Sequence, residues 1–175
     1  MKKPIIFILA LALLFTVTAC SSTGADGDPT GSDTTGNGNL EGNLDDILGK
    51  IYETAELDDD FRSFIEDIEE GLMKTEITSE NCENYFGITF EFESGLASEP
   101  TMQPSAYLLN LIRVKEGADI EKIKTDIKDN ADPIRWVCVG VDPSNIYVEN
   151  VGDVVMLVMS DNAGEALSKA FLALK

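Results

Sequence analysis

The sequence predicts an α+β domain: an antiparallel sheet of about four strands, covered on one face by helices and preceded by further helices. Three observations carry this. Apolar residues recur at helical spacing through the first part of the domain and switch, at Ile88, to strict alternation. From there the patterns run strand, strand, helix, strand, strand, helix. Two hairpins, each followed by a helix, make a ββαββα core.

Asn43 is a fair N-cap, and Leu44, Ile47, Leu48, Ile51 and Ala55 follow at helical spacing, predicting a helix over 44–56. Asp58-Asp59-Asp60 breaks it and starts a second, with Phe61, Phe64, Ile65, Ile68 and Leu72 on one face. Gly71 and the segment 75–78 pull the end of that helix toward loop or strand. Ser79 caps a short helix through Tyr85, closed by Gly87. Ile88, Phe90 and Phe92 alternate with Thr89, Glu91 and Glu93, as a half-buried strand does. Gly95 to Pro104 reads as a loop.

Ala106 to Val114 is apolar on both faces except at Asn110 and Arg113, which predicts a central strand. Gly117 and Asp119 start a helix whose Ile120, Ile123 and Ile127 share a face. Pro133 suits the first turn of a further helix to about Val139, with a strand over Trp136–Val139 as the alternative. Asp142-Pro143-Ser144-Asn145 is a turn. Ile146–Glu149 and Val154–Met159 form a hairpin around Gly152. Asn162 with Glu165 starts the last helix, in which Ala163, Ala166, Leu167, Ala170, Phe171 and Leu174 line one stripe. Phe90, Leu109, Leu111, Ile123, Val155, Leu157, Leu167 and Phe171 should be buried as one cluster.

The segment before the domain has a different character. Lys2 and Lys3 precede an uncharged apolar run from Ile5 to Phe15, shorter than the ~20 residues of a membrane-spanning helix. A charged start, a run of that length and a small-residue exit predict an export signal over 1–19. The exit, Val17-Thr18-Ala19-Cys20, resembles the lipobox of bacterial lipoproteins. The resemblance implies cleavage before Cys20 and a fatty-acyl lipid, palmitate or a similar chain, on its thiol. Residues 21–42 are rich in Gly, Ser, Thr, Asn and Asp, so 20–42 reads as the lipidated cysteine and a disordered linker reaching roughly 25 Å. Asp26, Asp28 and Asp33 lack the glycine and glutamate that a calcium loop requires and belong to the linker. Residues 43–175 are one α+β domain.

The formal charge is −19, and loss of Lys2 and Lys3 with the signal leaves −21. That balance repels nucleic acid and anionic headgroups, so acyl chains alone must hold the protein on a membrane. The 175 residues include no histidine, which removes histidine-dependent triads and the common zinc sites. No cofactor and no metal are expected.

Beyond the lipobox, four features carry a resemblance. They are the order of elements, the stretch from Thr75-Glu76-Ile77-Thr78 through Glu80-Asn81-Cys82 to Tyr85, the Ser105-Ala106-Tyr107 strand start, and the Val155-to-Asp161 strand end. With the lipobox they resemble a family of Gram-positive bacterial lipoproteins called domain of unknown function 4358. The similarity covers about residues 44–175. It implies an extracytoplasmic lipoprotein with a small α+β domain, and it brings no activity and no site residues.

Asp58, Asp59, Asp60, Glu66, Asp67, Glu69 and Glu70 form an acidic band, which is the solvated face of a helix unless calcium or a basic partner uses it. Glu91 and Glu93, with Asp126 or Glu149, offer carboxylates for glycoside hydrolysis only if two of them face each other at a fixed separation. Cys82 and Cys138 lack a thiolate-stabilising neighbour in sequence, which argues against a nucleophile. With Cys20 lipidated they are the candidates for a disulfide, which would contribute about 4 kcal/mol by chain entropy; two free thiols are the alternative. Trp136 and Tyr107 are expected in the core. The sequence therefore points to a non-enzymatic binding or accessory module, lipid-anchored outside the cytoplasm, whose partner is an envelope protein or a basic ligand. A carboxylate-dependent cell-envelope hydrolase is the alternative.

Overall fold

The computed structural model describes residues 38–67 and 71–175. The predicted signal segment, Cys20 and the linker up to residue 37 lie outside the described residues, as do Glu69 and Glu70 of the acidic band. The fold is α+β. Helices α1 (Leu44–Thr54) and α2 (Asp59–Glu66) lead into strand β1 (Leu72–Glu76) and the short helix α3 (Cys82–Phe86). Strands β2 (Phe92–Pro100) and β3 (Leu108–Val114), helix α4 (Ile120–Asn130), strands β4 (Ile146–Val151) and β5 (Val154–Met159), and helix α5 (Gly164–Leu172) complete it. The sheet is antiparallel throughout, with order β1-β2-β3-β5-β4. It has five strands where about four were expected. The segment that pulled against the second helix is the edge strand β1, with Leu72 opposite Pro100 and Glu76 opposite Leu96.

Local signals explain most boundaries. Asn43 caps α1, its side-chain oxygen accepting from the Asp46 amide at 2.9 Å, and Asp58 caps α2 by accepting from Phe61 at 2.7 Å. α2 stops at Glu66 because Asp67 takes an extended backbone. Asp119 caps α4, and Gly87 closes α3 at a φ of 72°.

Five expectations fail for physical reasons. The alternation from Ile88 is real, but β3 ends at Val114 opposite Phe92, so Ile88 to Glu91 have no ladder to join. Their rings pack instead, Phe90 lying 5.5 Å from Phe86 and 5.7 Å from Phe92. The stretch 95–100, read as loop, is strand. Its Gly95 marks a close approach, since a Cβ there would come within 2.7 Å of the Ile77 Cβ. Residues 133–139 form neither helix nor strand. The Asp132 carboxylate accepts from the Ile134 amide at 3.0 Å, Cys138 takes a φ of 65°, and the Val141 amide closes the loop on Pro133 O at 2.9 Å. The N-cap of α5 is Ala163, not Asn162, and upstream of it the Ser160 hydroxyl accepts from the Ala163 amide at 3.1 Å and the Ser160 carbonyl from Gly164 at 3.2 Å. Ser79 likewise gives way at α3, where Asn81 accepts from Thr78 at 2.7 Å and donates to Glu76 O at 3.0 Å.

The largest correction concerns the core. The sheet is covered on both faces, not one, and the predicted single cluster divides. Leu109, Leu111, Leu167 and Phe171 are buried under α1 and α5. Val155 and Leu157 are buried on the other face with α3 and α4, where Phe90 and Ile123 pack half-buried. Strands β3 and β5 feed both layers by alternation, which is why each reads as a continuous apolar run.

Polar groups inside the layers are arranged to fix them. Tyr52 of α1 donates to the Ser98 hydroxyl at 2.8 Å, so the 2.7 Å contact with Tyr107 is Tyr107 donating to Tyr52. Burial pushes the Tyr52 phenol up to about 12 and holds Tyr107 well above its ordinary value, so the pair stays protonated. On the other face Asn110 donates to Tyr85 O at 3.1 Å, tying α3 to the central strand.

The domain begins before residue 43. The Leu40 amide donates to Asp153 Oδ1 at 2.9 Å, and the Arg113 guanidinium donates to Asp153, to Leu40 O at 2.9 Å and to Gly42 O at 2.7 Å. Gly152, at a φ of 56° in the β4–β5 turn, leaves room for this segment: a Cβ there would meet Gly38 O at 2.5 Å. The described chain therefore starts at the end of the sheet formed by Val114, Val151 and Val154.

Candidate interaction surface

The opposite end of the sheet holds the features that fold stability alone does not use. The register places there the start of β1, the end of β2, the start of β3, the end of β5 and the start of β4. α4 runs back toward this end, Lys124 Nζ donating to Asn150 Oδ1 at 3.0 Å and Lys128 Nζ to Ile146 O. The 131–142 loop then leaves α4 and returns to β4 at the same end.

Trp136 is the loop's root. It is buried against the layer that holds Val155 and Leu157, as expected of a core residue. Tyr107 is also buried, on the opposite face. The Arg135 guanidinium carbon lies 5.4 Å from the Tyr85 ring centre and 5.9 Å from that of Trp136, a cation held between two aromatic faces. Tyr85 donates to Glu99 Oε1 at 2.9 Å, and burial, with Glu99 beside it, pushes the Tyr85 phenol up. These contacts fix the loop while its apolar tips face solvent. Ile134 is 74% exposed and Val137 76%, with Val139 exposed beside them. Met73 stands opposite Glu99 on the strand edge, and Met102 follows the end of β2; both are exposed. All five exposed large apolar side chains among the described residues belong to this one end of the sheet.

The residues singled out from the sequence fare differently. Cys82 and Cys138 are not joined. Cys82 is buried, its thiol donating to Ile88 O at 3.5 Å, whereas Cys138 is exposed in the loop. Burial pushes the Cys82 thiol up, which makes it a poorer nucleophile. Glu91 is paired with Lys115 at 2.9 Å, which holds its carboxyl below the ordinary range, and Asp126 is paired with Lys122 at 2.5 Å. A general acid needs the opposite shift. Glu93 and Glu149 sit on strands separated by β3 and β5, about 14 Å apart at the usual strand spacing. They line separate grooves, Glu93 beside the β3–α4 connection and Glu149 between α4 and β4. In the acidic band Asp58 serves as a helix cap. No group of three or more Cys, Asp or Glu that would hold a metal occurs among the described residues.

The surface at Ile134, Val137 and Val139 was missed from the sequence because a Trp-Val-Cys-Val run reads as core. The signal that marks it is Asp132-Pro133, which forces a turn ahead of the run and lets only Trp136 point inward. Comparison of the chain with protein-family models, with curated proteins and with solved structures finds no match.

Proposed function

We propose that this protein is a lipoprotein, anchored through acyl lipid on Cys20 and facing outside the cytoplasm, and that its domain is a non-enzymatic binding or accessory module. The observation that carries the anchor is the Val17-Thr18-Ala19-Cys20 exit behind a short apolar run. The family resemblance is part of the same proposal. What supports a binding module is the collection of exposed apolar side chains at one end of a sheet whose two faces are otherwise covered.

Metabolic labelling with an alkyne-tagged palmitate tests the anchor. The wild-type chain should carry the label and be cleaved before Cys20, and Cys20→Ala should abolish both. Unchanged label in the variant would overturn the assignment.

A further inference from the structure

The reading as a binding module leaves its partner open, and the end of the sheet that carries Ile134, Val137 and Val139 narrows it. We propose that this end is a protein-docking surface, and that its partner presents an apolar contact bordered by Lys and Arg. The proposal rests on the function proposed above and adds the surface and the class of partner.

Three candidate occupants fit an apolar surface: a membrane, a second copy of this chain, and another protein. Charge separates them. Carboxylates beside the loop include Glu99, Asp132, Asp142 and Asp161, and none of these four forms an ion pair among the described residues. They are held as acceptors: Asp161 by the Asp142 amide and the Asn145 side chain, both at 2.8 Å, and Glu99 by Tyr85. The Ser144 hydroxyl and amide hold the Asp142 carboxyl below its usual range. Two cations stand nearby and both are engaged, Arg135 over its two rings and Lys128 on Ile146 O. An apolar tip bordered by carboxylates repels an anionic lipid surface. It also repels a copy of itself in a chain whose formal charge is −19. A basic protein surface gains from both components, burying Ile134 and Val137 while placing its cations on the rim.

Site-specific photocrosslinking on the full chain in its own membrane tests this. A benzophenone side chain is introduced at Val137, and at the exposed Glu116 on the other end of the sheet as a control. Val137 should yield an adduct with one protein that mass spectrometry identifies as net basic, at least tenfold above the Glu116 position. The adduct should fall at least tenfold on adding Ile134→Ser, an exposed change that leaves the core intact, and fall again in 0.5 M salt on spheroplasts. An adduct with lipid, an adduct of twice the chain's own mass, an adduct insensitive to Ile134→Ser and to salt, or none above the Glu116 level would overturn the proposal. Palmitate label read in the same cells keeps a failure of the anchor distinct from a failure of the surface.

Discussion

Leu157→Ala lowers the free energy of unfolding by about 2–5 kcal/mol, the range for removing a large side chain from a filled core. Leu157 is fully buried on β5, opposite Asn110 of β3 on one side and Val148 of β4 on the other. β5 itself is hydrogen-bonded on both sides, to β3 and to β4, so the site cannot collapse to fill the space. Urea denaturation measures the cost, and an unchanged m-value shows that the variant still unfolds as one unit. A cost below about 1 kcal/mol would mean that β5 is not the buried centre of the sheet.

Asp153→Ala is the second large effect, on the order of 3 kcal/mol. The side chains of Arg113 and Asp153 are 16% and 14% exposed, so removing the carboxylate strands a guanidinium that solvent reaches poorly. The Leu40 amide loses its acceptor in the same substitution. Arg113→Lys should recover only part of the wild-type value in the matching measurement, because an ammonium cannot span Asp153, Leu40 O and Gly42 O together. A cost of a few tenths of a kcal/mol would instead make this an ordinary surface pair.

These two residues show where the sequence was legible. Leu157 stands in the most apolar run of the domain, and a run apolar at consecutive positions is a strand buried on both faces. Read fully, that fact calls for two helical layers, and the same holds for Leu108 to Ile112 of β3. Helix starts were legible where a side chain caps locally, at Asn43, Asp58 and Asp119. They were misread where no side chain caps the helix, as at Ala163 of α5 and Asn81 of α3. Asp153 was not legible at all. Its partners lie 113 and 40 residues away, and no local pattern reports a pairing of that separation.

The candidate surface was hidden for a related reason. Periodicity separates buried from exposed only inside regular elements, and the 131–142 loop has neither period. Its one buried ring, Trp136, and its exposed neighbours Ile134 and Val137 all read as core residues in the sequence and differ in direction. The two cysteines were counted as a pair because export permits a disulfide. The fold buries one and exposes the other.

Protease accessibility in fractionated cells tests the proposal that this domain works outside the cytoplasm on a lipid anchor. The mature chain, beginning at Cys20, is expected in the membrane fraction and digested by protease added to intact spheroplasts. A chain recovered from the soluble cytoplasmic fraction and protected until the cells are lysed would contradict it.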